Sequence, residues 1–190
     1  LVVSVKKLAR SNVLVHEMNC VETLARVNVL CVDKTGTITR PDMSVSDVVF
    51  LKDNVGKLIA GVAGNMDDDN ETMKAIKNYY HITGRDNSAE RVYSFSSQNK
   101  YSGAVLDGRC YIFGAPEYVL LDTYAEYEDI FERYSGHGER ILVFGECVGD
   151  PCGNIIEEAV NPYAFIILEN EIRDTAKETF GYFASQGVDI

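Results

Sequence analysis

The chain has 190 residues, and 46% of them are hydrophobic, which is enough to build one ordinary domain or two small ones. A formal net charge of −11 argues against nucleic acids and anionic membrane surfaces as partners, because both need a basic patch on the protein. The five cysteines include no C-x-x-C pair, and no apolar stretch reaches the roughly 18 to 20 residues that cross a bilayer. We therefore expect reduced thiols and neither a zinc site nor a membrane helix.

The first predicted elements lead to a short apolar run. Residues 1–18 mix basic side chains with valines and leucines, a pattern typical of a short helix or strand. Asn19 and Glu22 are three positions apart and form a capping box, which predicts a short helix ending near Arg26. The apolar run at 27–32 then predicts a buried central strand of a parallel sheet, because a glycine- and threonine-containing turn follows it.

Asp33 follows this predicted strand directly, in the sequence D-K-T-G-T-I-T at 33–39. Open α/β sheets bind ligands just beyond the carboxyl ends of their strands, so we expect the carboxylate to face a site. An aspartate there can attack a phosphoryl group and form an acyl phosphate, while Mg²⁺ and a nearby cation neutralise the phosphate oxygens. Gly36 allows close approach of the backbone, and the hydroxyls of Thr35 and Thr37 can donate to the phosphate. A strand followed by an ordinary polar turn is the alternative.

Helical and strand patterns alternate over the rest of the chain. We predict, in chain order, a strand at 43–51, helices at 54–64 and 70–80, strands at 91–95, 101–106 and 109–113, helices from 116 and over 123–134, strands at 140–148 and 164–168, a helix at 174–186 and a strand beginning at 188–190. Asp107-Gly108 is a strong hairpin signal, and Pro116 stands at the favoured first position of a helix. The segments 136–138 and 149–154 are rich in turn residues.

The string at 33–39 resembles the phosphorylation motif of the P-type (E1-E2) cation-transporting ATPases. The resemblance implies that ATP phosphorylates Asp33 in each transport cycle. It also implies that Lys34 lies close to the transferred phosphate, and that Asp33 and the backbone carbonyl of Thr35 bind Mg²⁺. The order of elements is similar to the family's split plan, in which a nucleotide-binding domain is inserted into a phosphorylation domain. The expected fold class is therefore α/β, with an α+β insertion in a haloacid-dehalogenase-like, Rossmann-type domain.

The resemblance covers essentially the whole chain and sets the expected domain boundaries. Residues 1–41 should be the first part of the phosphorylation domain, 42–169 the nucleotide-binding domain, and 170–190 the hinge with the start of the second part. The family's T-G-D and G-D-G-x-N-D motifs do not occur in the sequence, so the phosphorylation domain is expected to be incomplete. We accordingly expect a piece from the cytoplasmic face of a membrane protein, in a bacterial plasma membrane. Its partners would be ATP, an actuator domain and a transported cation.

Residues 95–100 read F-S-S-Q-N-K and resemble the family's F-S-x-x-x-K signature. In that signature the phenylalanine, here Phe95, stacks on adenine, and the lysine, here Lys100, lies near the nucleotide. The residue types agree with this, because an aromatic face and a cation suit an anionic ligand that contains a base. Taken alone, Phe95 at the end of a strand could equally belong to the core.

Residues 113–117 read F-G-A-P-E and resemble the family's K-G-A-P-E. Gly114 and Ala115 are expected to let the backbone approach the nucleotide closely. Phe113 stands where the family has lysine, which removes a positive charge from the pocket. Either the ring of Phe113 stacks on the nucleotide in its place, or the affinity for ATP is low.

Three further residues match the family less closely. Glu71 resembles an acidic residue that meets the adenine amino group, although a glutamate on a solvated helix face is an equal explanation. Arg140, in G-E-R, resembles an arginine near the phosphates. Arg173 matches the arginine of a D-P-P-R-like hinge. Asn170 stands where that hinge usually has aspartate, so hydrogen bonding survives with one charge lost.

The motifs also favour one branch of the family. The histidine-proline pair of the heavy-metal pumps is missing, and the F-S…K and G-A-P-E pair resembles the branch that moves Ca²⁺, Mg²⁺, Na⁺/K⁺ or H⁺. The acidic run at 67–69 lacks the ligand spacing and glycine of a calcium loop, and it predicts a solvated helix start.

Two other functions stay open. One is a soluble phosphatase of the haloacid dehalogenase superfamily, which shares the aspartyl-phosphate chemistry. Such phosphatases usually carry an aspartate two residues after the nucleophile, where this chain has Thr35. The other is an ATP-binding module without catalytic activity.

Overall fold

The computed structural model describes residues 2–17, 19–67, 70–136, 138–149, 151 and 155–190. Parts of the acidic run at 67–69 and of the turns at 136–138 and 149–154 lie outside these residues. The chain divides into two compact units. The first is formed by Leu1–Thr39 and Ile172–Ile190, and the second by Arg40–Glu171.

The helices and strands are, in chain order, α1 (Val2–Arg10), α2 (Cys20–Leu24), β1 (Thr39–Phe50), α3 (Val55–Asn65), α4 (Glu71–Tyr79), β2 (Arg91–Tyr93), β3 (Tyr101–Leu106), β4 (Arg109–Gly114), α5 (Pro116–Val119), α6 (Glu128–Ser135), β5 (Arg140–Glu146), β6 (Asn161–Ile172) and α7 (Ala176–Ser185). A π-helical turn at Lys34–Ile38 precedes β1, and a 3-10 helix at Leu121–Tyr127 precedes α6. Within the described residues, no helix has the length and hydrophobicity needed to cross a membrane.

The second unit is built on a six-stranded sheet with the strand order β1-β6-β5-β4-β3-β2. Strands β2 to β6 pair with their neighbours in antiparallel fashion. Asp107 and Gly108 connect β3 to β4 with φ angles of 50° and 70°, as a tight two-residue turn requires, and Leu106 pairs with Arg109. The predicted hairpin is therefore confirmed.

The sheet separates two hydrophobic cores, because successive side chains of a strand point to opposite faces. On one face Ile59 of α3 and Ile76 of α4 pack into a cluster with Phe113 of β4. On the other face Ile112 of β4 packs into a cluster with Phe131 of α6. Burying each such side chain contributes about 1.5–3 kcal/mol, so these two clusters hold the second unit together.

The predicted pair of helices after β1 is confirmed as α3 and α4. Asn70 caps α4, since its side-chain oxygen accepts a hydrogen bond from the backbone N–H of Met73 at 2.8 Å. Met73 and Ile76, three positions apart, place the apolar face of α4 in the core. The helix predicted at 123–134 is instead two elements, the 3-10 helix followed by α6.

In the first unit, the prediction of a buried strand at 27–32 is wrong. Val29 makes one isolated parallel bridge with Asp189, and the N–H of Leu30 donates to the carbonyl of Asp189 at 2.7 Å. Val29 is 54% exposed, and Cys31 is exposed as well. A parallel strand is buried when other strands flank it and helices cover both faces of the sheet. Beside residues 27–32 the structure describes a single short segment, which does not bury them.

Candidate functional site

The loop that carries Asp33 is an irregular turn in the first unit. Asp33 itself is extended, with φ −77° and ψ 147°, and its side chain is exposed. In the π-helical turn that follows, Thr35 is extended and Gly36 has a φ of 78°, a left-handed conformation that favours glycine. A Cβ atom on Gly36 would meet no atom within 4 Å, so the backbone conformation, not crowding, requires the glycine.

Thr39 and Arg173 hold this loop from inside the first unit. Thr39 is 1% exposed, and its hydroxyl donates to the carbonyl of Lys34 at 3.2 Å and accepts from the N–H of Gly36 at 3.3 Å. The backbone N–H of Arg173 donates to the carbonyl of Ile38 at 2.9 Å, and its guanidinium donates to the carbonyl of Gly36 at 3.0 Å. The sequence analysis missed the role of Thr39, although it is the last residue of the seven-residue string.

The predicted catalytic residues Asp33, Lys34 and Thr35 are exposed side by side on this loop. A carboxylate and a backbone carbonyl are oxygen donors of the kind that Mg²⁺ prefers, so Asp33 and Thr35 suit that ion in chemical type. Nowhere in the part of the chain that the structure describes do three acidic, histidine or cysteine side chains form a group that could hold a metal ion.

The second unit contains a cleft of about 520 Å³. The described residues that line it are Thr72, Phe95, Ala115, Pro116, Glu117, Tyr124, Glu128, Phe131, Glu132, Glu139, Arg140, Ile141, Leu142 and Leu168. Three predicted nucleotide-binding residues, Phe95, Ala115 and Arg140, are thus brought together although the sequence separates them widely. Phe95 is 48% exposed, which leaves much of its ring free to contact a ligand.

Backbone hydrogen bonds join the two nucleotide motifs. The N–H of Ala115 donates to the carbonyl of Lys100 at 3.1 Å, and the N–H of Lys100 donates to the carbonyl of Ser96 at 2.8 Å. The first motif is therefore folded against the second. The ammonium group of Lys100 lies 5.9 Å from the ring centroid of Tyr118, in cation–π range, and Lys100 is not among the described residues that line the cleft.

Phe113 does not have the position expected of a ligand-stacking residue. Its side chain is 2% exposed and packs on Phe144, with ring centroids 4.9 Å apart. Successive side chains of β4 point to opposite faces of the sheet, and Phe113 points to the core that α3 and α4 cover. Stacking of Phe113 on a nucleotide, one of the two options left by the sequence, does not fit this geometry.

Gly114 is required by packing within the protein. A Cβ atom at this position would lie 2.3 Å from Cγ1 of Val119 in α5. The glycine therefore lets α5 pack closely on β4, and this packing places Ala115 and Pro116 at the cleft. This packing role differs from the one that the sequence motif predicts, which is close approach of the backbone to a ligand.

Neither Glu71 nor Arg173 is among the described residues that line the cleft. Glu71 is exposed and pairs with Lys74 at 2.7 Å, an exposed pair of the kind that adds at most about 1 kcal/mol. Its neighbour Thr72 lines the cleft. Arg173 belongs to the first unit and binds the Asp33 loop there.

The sequence analysis also missed a group of acidic residues in the cleft. Glu128, Phe131 and Glu132 lie three and four positions apart in α6, so they share one helix face, and all three line the cleft. The pKa of Tyr124, another lining residue, is raised by burial and then by the negative charges of Glu117 and Glu128. The helical spacing was readable in the sequence, but the direction in which that face points was not.

Several curated relatives match nearly the whole chain. The chain is 36% identical over 190 residues to the calcium-transporting ATPase CtpE of Mycolicibacterium smegmatis, and the match covers 99% of the chain and 24% of that protein. It is 33% identical over 200 residues to the calcium-transporting ATPase CtpE of Mycobacterium bovis, again covering 99% of the chain and 24% of the relative. The chain thus spans about a quarter of the length of these relatives. No protein-family model matches it.

Solved structures share the fold. The catalytic domain of the CPx-ATPase CopB-B, solved in work on its conformational changes upon nucleotide binding, aligns with a TM-score of 0.63 at 12% identity. That alignment covers 97% of this chain and 61% of the other. A zinc-transporting PIB-type ATPase in an E2.Pi state aligns with a TM-score of 0.60 at 17% identity, covering 93% of this chain and 27% of the other. At these identities the likeness shows the fold alone, and it confirms the expected α/β class.

Proposed function

The chain belongs to the P-type cation-transporting ATPases, and we propose that it supplies the nucleotide cleft and the phosphorylated aspartate of an ATP-driven cation pump. The observation that carries the proposal is the exposed position of Asp33 at the start of a fixed loop. This loop belongs to a chain that is similar over 99% of its length to a named calcium-transporting ATPase. We assign the nucleotide-binding domain to about 42–169, and the phosphorylation domain and hinge to 1–41 and 170–190. ATP and Mg²⁺ are the proposed ligands.

In the proposed reaction, a carboxylate oxygen of Asp33 attacks the γ-phosphorus of ATP, the bond from that phosphorus to the bridging oxygen breaks, and ADP leaves. The product is an acyl phosphate on Asp33, which water later hydrolyses. Lys34 lies next to the developing charge. Mg²⁺, bound through Asp33 and the carbonyl of Thr35, would neutralise part of the phosphate charge.

Binding of the nucleotide is assigned to the cleft of the second unit. Phe95 offers a half-exposed aromatic ring, Ala115 and Thr72 also line the cleft, and Arg140 supplies a cation. Aromatic rings bind bases by stacking, typically for about 1–3 kcal/mol per base. The likeness in fold to a domain solved in work on nucleotide binding supports this assignment.

The cargo is proposed to be a metal cation. The curated relatives are named for calcium transport, and the heavy-metal histidine-proline pair is missing from the sequence, so Ca²⁺ is the first ion to test. The remaining partners, an actuator domain and a membrane domain, are proposed to belong to the same longer protein, with this chain on the cytoplasmic face. A soluble phosphatase is less well supported, because Thr35 stands where its acid would be.

Phosphorylation of the full-length protein tests the proposal. Labelled ATP with Mg²⁺ should leave an acid-stable label that hydroxylamine removes, because hydroxylamine cleaves acyl phosphates. Asp33→Asn should leave no label, and the 190-residue chain alone should take none, since the T-G-D and G-D-G-x-N-D motifs are missing from it. Label that persists in Asp33→Asn would overturn the assignment.

A further inference from the structure

Cys110 of β4 and Cys147, the residue after β5, face each other across two neighbouring strands. Strand β4 pairs with β5 in an antiparallel register that sets Tyr111 opposite Glu146, and one further step along this register sets Cys110 opposite Cys147. The backbone N–H of Cys147 donates to the carbonyl of Cys110 at 2.9 Å, which continues the ladder to this pair. The fold therefore fixes the two cysteines as neighbours, although they lie far apart in the sequence.

Both side chains lie on the same face of the sheet. They belong to the hydrophobic cluster that contains Phe131 of α6, and Cys110 is 4% and Cys147 9% exposed. Directly opposite residues of a hydrogen-bonded antiparallel pair have Cα atoms about 5.5 Å apart, which is within the range of about 4.4–6.8 Å that a disulfide needs. Their Cβ atoms are also about 5.5 Å apart, whereas a disulfide holds them at about 3.5–4.5 Å. A bond between the two sulfur atoms is thus within reach, but it draws the strands together and is strained.

A cavity of about 280 Å³ gives small molecules a route to Cys147. Its described lining includes Cys147, Val148, Ile155, Glu157 and Glu158. Val148 and Ile155 are exposed, so the cavity reaches solvent, and Cys110 is not among the described residues that line it. The carboxylates of Glu157 and Glu158 repel anionic reagents such as glutathione disulfide, whereas hydrogen peroxide is small and neutral. Hydrogen peroxide is therefore the oxidant that suits this route.

We propose that Cys110 and Cys147 are a site of reversible oxidation by hydrogen peroxide, and that Cys147 reacts first. The thiolate of Cys147 attacks one peroxide oxygen, the O–O bond breaks, and the leaving hydroxide takes up the proton that the thiol has lost and becomes water. The sulfur of Cys110 then attacks the sulfenic acid of Cys147, the S–O bond breaks, and a second water leaves with the thiol proton of Cys110. Two thiols and one hydrogen peroxide thus give one disulfide and two waters.

The strain of this disulfide makes it easy to reduce. Strained disulfides have more oxidising potentials than structural ones, so cellular thiols open them again. The structure holds Cys110 and Cys147 as thiols, as expected for the resting state of such a pair. Neither cysteine is among the described residues that line the nucleotide cleft, so this chemistry does not rest on the proposed function.

The first experiment treats the folded wild-type 190-residue chain with millimolar hydrogen peroxide at neutral pH. Catalase then removes the peroxide, iodoacetamide blocks the remaining thiols, and mass spectrometry of a non-reduced digest identifies the linked peptides. We expect a link between Cys110 and Cys147 as the main disulfide, and dithiothreitol should remove it. In urea this preference should disappear, because the fold brings the two residues together. A link from Cys147 to Cys152 in its place, or no link to Cys110 under conditions that oxidise the exposed Cys31, would overturn the inference.

The second experiment tests the order of the two steps in a chain that also carries Cys20→Ser, Cys31→Ser and Cys152→Ser. With Cys110→Ala, the sulfenic acid of Cys147 has no resolving thiol, so dimedone should trap it. With Cys147→Ala, dimedone should label Cys110 about tenfold less or weaker still, because Cys110 does not line the cavity. Equal labelling of the two variants would show that Cys147 is not the residue that reacts first and would overturn that part of the inference.

The third experiment tests the choice of oxidant in the wild-type chain. Glutathione disulfide at the same concentration should form the link between Cys110 and Cys147 about tenfold more slowly than hydrogen peroxide, or more slowly still, because the cavity is acidic. Glu157→Gln combined with Glu158→Gln should narrow this difference and leave the rate with hydrogen peroxide unchanged. Equal rates with the two oxidants in the wild-type chain would overturn the assignment to peroxide.

Discussion

Arg173 donates a hydrogen bond from its guanidinium to the backbone carbonyl of Gly36 at 3.0 Å. Gly36 lies three residues after Asp33, so the arginine holds the loop that begins with the proposed nucleophile. The resemblance had placed Arg173 in an interdomain hinge. In the structure it fixes the backbone of the Asp33 loop through an exposed hydrogen bond from a charged donor.

Arg173→Ala should therefore slow phosphorylation of Asp33 in the full-length protein by roughly tenfold or more, since about 1.4 kcal/mol of lost positioning is a factor of ten in rate. The affinity of the cleft for ATP should not change. Arg173→Lys keeps one donor and should restore part of the rate. Rapid-quench measurement of label uptake checks this, and an alanine variant that is phosphorylated at the wild-type rate would show that the contact has no positioning role.

Gly36→Ala should destabilise the first unit by about 1–2 kcal/mol, because residues with a Cβ atom resist the left-handed φ of 78° found here. Gly181→Ala is the control in the same unit, since Gly181 lies in α7 and a Cβ atom there would also meet no atom within 4 Å. It should stabilise the chain by about 0.5–1 kcal/mol, the usual gain of alanine over glycine in a helix. Urea unfolding measures both, and equal effects would contradict the backbone argument.

Gly114→Ala should destabilise the second unit by about 1–3 kcal/mol, because its Cβ atom would lie 2.3 Å from Cγ1 of Val119. Val119→Ala removes the clashing methyl group, so the double variant should be more stable than the sum of the two single changes predicts. Unfolding curves of the two single variants and of the double variant check this coupling. Additive effects would mean that the glycine is needed for another reason.

Phe95→Ala should weaken ATP binding by about 1–3 kcal/mol, roughly fivefold to 150-fold, because the exposed ring is the proposed stacking surface. Phe113→Leu is the matched control, because Phe113 is buried and does not line the cleft. It should lower the free energy of unfolding by about 1 kcal/mol and leave the affinity unchanged. NMR titration of both variants tests this, and loss of affinity in Phe113→Leu alone would place the nucleotide elsewhere.

The local parts of the fold were predictable from sequence. Asp107-Gly108 fixes a hairpin because few dipeptides tolerate two positive φ angles, and the cap at Asn70 with the spacing of Met73 and Ile76 fixes α4. The apolar run at 27–32 was misread because its burial depends on neighbouring strands, which local sequence does not specify.

The motifs of the candidate site could be predicted from the sequence, but the directions in which their side chains point could not. The motifs led to Phe95, Ala115 and Arg140, which share one cleft in the structure. Phe113 was assigned to the ligand because its motif position was known, whereas the face of β4 to which it points depends on the helices that cover the sheet. The glutamates of α6 were missed for the same reason, since the rotation of a helix about its axis is set by tertiary packing.

The position of the phosphoryl group on the chain decides whether Asp33 is the nucleophile. The full-length protein would be phosphorylated with ATP and Mg²⁺ and treated with borohydride, which reduces an acyl phosphate on aspartate to homoserine. Peptide mass spectrometry would then locate the modified residue. If Asp33 is the nucleophile, we expect homoserine at position 33 and unmodified aspartate elsewhere. A modification at any other residue, or none at position 33 under conditions of ATP turnover, would contradict it.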